Sequence, residues 1–200
     1  MNAAVTAVPG FEDIPAIRSL LGPAYADDPL SEWLFPDAGS RAHACAAWYG
    51  LFAEQYVTGA QATVVRDGEQ VTAVAMWRLP GDRALDADGM PGISGLMTAL
   101  VGSGRSAAIG DALHAVGALQ SEDPCAYLNF LAVAAGRRRA GLGRLVLGPL
   151  FTAAGDAGLP VRLETTNPAN YPFYDALGFE ETGRLQLGSN GPLLRALRLG

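Results

Sequence analysis

The sequence predicts an α/β fold built on a mixed sheet, and three observations carry that expectation. Strand and helix patterns alternate from Tyr127 onward. Two short apolar runs flank the turn Asp67-Gly68, and the N-terminal part carries apolar stripes at helical spacing. Alternation of this kind places helices against a sheet that carries at least one parallel step.

The elements follow in chain order. Phe11-Glu12-Asp13 precedes Ile14, Ile17, Leu20 and Leu21, an acidic start and an apolar stripe, with Pro15 tolerated in the first turn. This helix is expected to end near Gly22-Pro23 or to run raggedly to Asp28-Pro29, a dipeptide that reads as a turn. Trp48, Leu51, Phe52, Gln55 and Tyr56 mark a second helix closed by Gly59. Residues 62–66 and 71–79 form a hairpin, with Gly68 supplying the positive φ that its turn requires. Weak helical stretches at 96–100 and 107–119 read as a helical insertion spanning 81–122. After it come a strand (127–133), a glycine turn (141–143), a helix (144–157), a strand (161–165), a short helix (168–177) and a last hairpin.

Composition bounds the function classes. Half of the 200 residues are hydrophobic and 17% are charged, which places the whole chain, 1–200, in the ordered globular class as one domain. A formal charge of −6 argues against nucleic acid or an anionic membrane as partner and suits a cationic substrate. Cys45 and Cys125 have no CxxC spacing and read as small core residues, while His43 and His114 are isolated, so no metal site is expected. Met1 to Gly10 lacks a basic leader pattern and apolar runs such as 93–101 are too short to span a bilayer, so a cytoplasmic location is expected.

One segment stands out chemically. Arg138-Arg139-Ala140-Gly141-Leu142-Gly143 lies between the 127–133 strand and the following helix. A strand end, a glycine turn and a helix N-terminus bring unpaired N–H groups and a positive dipole end to one point, which makes an anion cradle. A dinucleotide-binding turn is excluded because Val146 stands where its third glycine belongs, and a P-loop because Arg144 follows Gly143.

Strand, RxxGxG and helix are followed by Leu163-Glu164-Thr165, by Asn167-Pro168-Ala169-Asn170-Tyr171-Pro172-Phe173-Tyr174 and by Leu177-Gly178-Phe179. This combination resembles the GNAT-type N-acetyltransferase superfamily, and within it puromycin N-acetyltransferase and its actinobacterial relatives. The resemblance covers 125–199, the expected acetyl-CoA-binding and catalytic core. It implies a mostly antiparallel sheet flanked by helices, with the insertion lying before the fourth strand. It also implies acetyl-CoA as donor, a small-molecule amine as acceptor, and a monomer or homodimer; a protein α-amine or lysine as acceptor, and a catalytically silent acyl-CoA-binding module, are the alternatives.

The resemblance implies a gap between the fourth and fifth strands that takes the pantetheine arm against the backbone of Leu131, Ala132 and Val133. The N–H groups of Arg138, Arg139, Ala140, Gly141, Leu142, Gly143 and Arg144 would hold the pyrophosphate. Asn167, Asn170, Phe173 and Tyr174 would contact the arm and its sulfur end. Arg139 and Ala140 replace the family's usual Gly-Lys pair, so Arg139 is expected to strain the turn or relax it.

Some relatives carry a glutamate where Asn129 stands, and an amide cannot accept a proton at neutral pH. Strand alternation would put Asn129 on the face of Tyr127, Leu131 and Val133. Glu164 is then the candidate general base, or else a rim carboxylate paired with Arg162 or solvent; a water-mediated base stays open. Tyr174 is the candidate general acid, or else an aromatic that packs its helix on the sheet. An N–H near Val133 would stabilise the oxyanion. Tyr25, Asp28, Trp33, Trp48 and Trp77 are candidates for the acceptor pocket because aromatic faces and a carboxylate suit an amine.

Overall fold

The computed structural model describes residues 4–82, 92–119 and 123–200. Helix α1, Ile14–Tyr25, buries Ile14, Ile17, Leu20 and Leu21, and runs past Gly22-Pro23 with Pro23 inside it. Helix α2, Pro29–Leu34, stands where the sequence reads only as a turn. Asp28 caps it by accepting from the Leu30 N–H at 2.9 Å, and Pro29 opens the first turn where no N–H is needed. Helix α3, Arg41–Thr58, ends at Gly59 and packs along α1. A buried bond between the Ser31 and Tyr49 hydroxyls, 2.9 Å, ties α2 to α3.

Strand β1, Val5–Ala7, adds to the elements expected from the sequence; it is three residues long and pairs with β2, Ala62–Asp67. Strands β2 and β3, Gln70–Arg78, form the expected hairpin, with Gly68 at φ +62°. The insertion supplies α4, Ile93–Val101, α5, Ser103–His114, and a 3-10 turn, Ala115–Leu119; its residues 83–91 and 120–122 lie outside the described residues. Then follow β4, Ala126–Val133, α6, Leu142–Asp156, and β5, Val161–Thr165. The short helix is split into a 3-10 turn, Pro168–Asn170, and α7, Tyr171–Asp175, before the closing hairpin of β6, Glu180–Gln186, and β7, Leu193–Leu199.

The seven strands run in the order β1-β2-β3-β4-β5-β7-β6. Every pairing is antiparallel except β4 with β5, which is parallel and holds only at Ala126–Val161 and Tyr127–Arg162. Beyond those two pairs the strands part and open a wedge. Two cores sandwich the sheet: α1 and α3 cover one face with Ile17, Leu21 and Tyr56, and α6 covers the other with Val146, Leu147 and Leu150. Each such fully buried aliphatic side chain is worth about 1.5–3 kcal/mol of transfer free energy.

Asn129 corrects the alternation expected from the sequence. Between β3 and β4 the register jumps, Met76 facing Phe130 and Trp77 facing Leu128, so Asn129 is an extra residue in a β-bulge. Its Nδ2 donates to the Tyr56 hydroxyl of α3 at 3.0 Å, and Phe130 and Ala132 pack on the same side. Leu131 and Val133 turn to the α6 side, away from Asn129. The bulge reverses the phase of the strand at the point where the wedge opens.

Among the described residues no helix is long and apolar enough to cross a membrane. No group of three His, Cys, Asp or Glu side chains among them could hold a metal ion.

Candidate active site

The wedge between β4 and β5 leads into a cavity of about 500 Å³ at the N-terminus of α6. Leu131, Ala132 and Val133 form one wall. The Ala134 N–H donates to the Thr72 carbonyl of β3, so the alternate residues Val133 and Leu131 point their backbone groups into the wedge. Leu131 shows this directly: its N–H and C=O both bond the Tyr25 hydroxyl, at 3.2 and 3.1 Å. The backbone groups expected to meet a pantetheine arm are thus engaged, at Leu131, by a side chain of α1.

The opposite end is basic. Arg138, Arg139 and Arg144 line the cavity with Gly141, Leu142 and Gly143, whereas Ala140 does not reach it. Gly141 caps α6 at φ +80° with no side-chain cap, so the first-turn N–H groups of Leu142, Gly143 and Arg144 lack intrahelical partners. Arg139 adopts φ +63°, the left-handed conformation that glycine takes without penalty, so the turn keeps its shape and the arginine bears the strain. Neighbouring guanidinium groups are tied back: Arg137 to Asp67 at 2.5 Å, Arg138 to the Ala24 carbonyl at 3.3 Å and Arg144 to the Ala176 carbonyl at 3.4 Å. Gly143 makes a close approach. A Cβ there would stand 3.1 Å from the Phe173 ring, which packs on this turn and lines the cavity.

Asn167 and Asn170 close the cavity from the β5 side; Asn167 spends its Oδ1 on the Ala169 N–H at 3.0 Å, while Asn170 faces a second cavity as well. That second cavity, about 340 Å³, lies on the α1 and α3 face, roofed by Leu113, Val116 and Gly117 of the insertion. Tyr25, Asp28, Leu131, Asn170 and Tyr174 line both cavities and mark where they meet. The Tyr25 ring stacks on Tyr49 at 4.4 Å.

Glu164 lies in the second cavity and accepts a hydrogen bond from the Tyr127 hydroxyl. Burial pushes its carboxyl above the usual range, against the Tyr127 bond and the Arg162 and Arg78 charges, which lower it. It forms no ion pair with Arg162. Tyr174 is buried at the junction, edge-on to Phe173 and Phe179 at 5.2 and 5.6 Å, and its hydroxyl has no hydrogen-bond partner among the described residues. Burial first, and the Asp28 charge second, push the phenol above its ordinary value, so it stays protonated. Asp28, itself raised by burial, also accepts from Thr166 at 3.0 Å, which pins the start of α2 to the end of β5.

Three of the aromatic candidates lie elsewhere. Trp48 is core packing against Phe52, Trp77 donates to Thr63, and Trp33 bonds Asn190 on the β6–β7 connection. Cys45 is buried as expected, but Cys125 is only half-buried and lines a further cavity. Tyr127 and Tyr49, unassigned from the sequence, line the second cavity beside Tyr25 and Tyr174. Tyr127 was reachable through its place two residues from Asn129; Tyr49 was masked by Trp48 beside it.

A wedge in a mostly antiparallel sheet thus opens above an uncapped helix start and meets a second cavity. The model of the acetyltransferase (GNAT) family matches residues 28–179. The chain belongs to the GNAT acetyltransferase family. It is therefore an acetyl-CoA-dependent acetyltransferase. Solved structures share the fold of this acetyltransferase. A Corynebacterium glutamicum protein described as histone acetyltransferase HPA2 and related acetyltransferase is 24% identical, with TM-score 0.70 over 98% of this chain and 95% of that one. Arylalkylamine N-acetyltransferase 2 of Aedes aegypti is 12% identical, TM-score 0.65, covering 98% of each chain. A Drosophila melanogaster polyamine N-acetyltransferase that forms N-acetylagmatine is 13% identical, TM-score 0.64, covering 98% and 99%.

The residues present fit the donor that the family uses. The first cavity joins the 131–133 groove wall, where the Val133 backbone groups face the wedge, to a basic helix start, a match for an extended arm ending in a pyrophosphate.

Proposed function

We propose that this acetyltransferase moves an acetyl group from acetyl-CoA to a primary amine of a small molecule, such as an antibiotic or other natural product, by direct transfer with both substrates bound. The observation that carries this reading is the meeting of the two cavities at Tyr25, Asp28, Leu131, Asn170 and Tyr174. One cavity suits the donor; the other is small, aromatic and acidic. Its roof of Leu113, Val116 and Gly117 favours a compact acceptor over a polypeptide. The LET strand and N-x-P-F-Y run that resemble puromycin N-acetyltransferase support the natural-product reading.

Acetyl-CoA, when bound, supplies a thioester carbonyl. Leu142, Gly143 and Arg144 N–H groups hold its pyrophosphate, with Arg138 and Arg139 adding charge. Glu164 takes a proton from the incoming ammonium at its carboxylate, since an amine reacts only through a free lone pair. Its raised affinity for a proton suits that task. Tyr174 holds a proton at its hydroxyl and gives it to the departing sulfur, and takes in return the second proton that the nitrogen sheds as the amide forms. Burial disfavours phenolate and thiolate alike, so their relative rather than absolute affinities govern that transfer. The Val133 N–H, directed into the wedge, is the fixed donor for the carbonyl oxygen.

Purified protein mixed with acetyl-CoA, a panel of small amines including puromycin, and a thiol reagent tests the reading. CoA release that depends on a small amine is expected. Release with peptides but not small amines contradicts the small-molecule acceptor, and no release from any amine while acetyl-CoA still raises the melting temperature marks a binding module.

A further inference from the structure

Arg78 of β3, Tyr127 of β4 and Arg162 of β5 form one row across the sheet, because Arg78 pairs with Tyr127 and Tyr127 with Arg162. Ladder partners share a face, and Glu164, two residues beyond Arg162, shares it too. The Arg78 guanidinium lies over the Tyr127 ring at 4.8 Å. Two guanidinium groups therefore stand just past the carboxylate assigned here as base.

They line a cavity of about 270 Å³ together with Cys125 and Thr182. This cavity shares Tyr127, Leu163 and Glu164 with the acceptor cavity, so the two are parts of one groove whose floor is the Tyr127–Glu164 bond. The insertion roofs both, Val116 over one and Leu119 over the other. Among the described residues neither Arg78 nor Arg162 has an ion-pair partner. Asp82 at the rim spends its Oδ2 on the Leu79 N–H at 2.8 Å. Glu164 accepts its hydrogen bond from the Tyr127 hydroxyl and pairs with neither arginine. Half-buried guanidinium groups with no carboxylate paired to them among the described residues, and facing a cavity, make a site for an oxyanion that their planar forks can grip.

We propose that this end of the groove is an anion subsite, and that the acceptor is a zwitterion: a primary amine placed at Glu164 whose carboxylate or phosphorus oxyanion sits between Arg78 and Arg162. The inference rests on the acetyltransferase reading and narrows its substrate class to amino acids and amino phosphonates.

Matched pairs test it: phenylalanine with phenethylamine, arginine with agmatine, and 1-amino-2-phenylethylphosphonate to separate the two oxyanions. CoA release gives kcat and KM for each, and calorimetry on the full chain gives binding of the same compounds without donor. The anionic member of a pair is expected to exceed its decarboxylated partner by about tenfold or more in kcat/KM, through KM. Arg162→Met and Arg78→Gln should each bring that ratio to about one, while Arg162→Lys keeps part of it. A ratio near or below one that neither variant moves overturns the subsite and leaves the acetyltransferase reading standing. Arginine-dependent binding of the anionic amines with no CoA release upholds the subsite and overturns that reading. Absence of both binding and release for every anionic amine overturns the subsite.

Discussion

The Tyr25 hydroxyl donates to the Leu131 carbonyl and accepts from the Leu131 N–H, closing at 3.1 and 3.2 Å the backbone groups that the parting of β4 from β5 leaves open. A pantetheine arm pairing with Leu131 must displace it. Tyr25→Phe keeps the ring on Tyr49 but removes the competitor, so CoA is expected to bind up to about tenfold more tightly, the worth of roughly one hydrogen bond. Calorimetric titration checks this; weaker binding would mean that the hydroxyl itself helps to hold the arm.

Glu164→Gln should lower kcat by about a hundredfold or more, the usual contribution of a positioned base. In the unmodified enzyme kcat/KM should rise with pH through a carboxyl titrating above the ordinary value of about 4.3, because burial raises Glu164. The variant should lose that limb. Rates across a pH series on both proteins supply the test.

The same group links to stability. A carboxyl whose folded value is raised stabilises the fold fully below its unfolded value and loses that contribution as pH rises through the folded one. Glu164→Gln keeps an acceptor for Tyr127 and removes the buried charge. The melting temperature of the variant relative to the parent should therefore increase as pH rises from about 4 through the raised folded value.

Tyr174→Phe should leave the packing on Phe173 and Phe179 intact, because its hydroxyl has no partner to lose among the described residues. Turnover should fall by about a hundredfold with little change in melting temperature. A large fall in stability with unchanged turnover would assign the residue to packing alone.

Arg139 holds φ +63° without a glycine's freedom. Arg139→Gly should stabilise the protein by about 1 kcal/mol, read from urea unfolding. It should also weaken CoA binding by removing a cation from the cavity.

Much of this was legible in the sequence because it is local. The 161–165 strand, the glycine turn and the start of α6 are written in consecutive residues whose backbone needs are strong. Asp28-Pro29 misled because a cap followed by proline serves a turn and a helix start alike, and only the Ser31–Tyr49 packing decides between them. Asn129 misled because a bulge adds one residue to a strand without changing its composition. The site was half legible: its donor end lies in the continuous stretch 131–144, whereas the acceptor end joins Tyr25, Tyr49, Tyr127 and Glu164 from four separate elements. The Arg78, Tyr127 and Arg162 row depends on strand order, which spacing along the chain does not encode.

A crystal structure with CoA tests the central claim most directly. The account predicts the pyrophosphate on the N–H groups of Leu142, Gly143 and Arg144, and the sulfur at the junction of Asn170 and Tyr174, facing the cavity that holds Glu164. A pyrophosphate bound away from the α6 start, or a sulfur turned away from Tyr174, would contradict it.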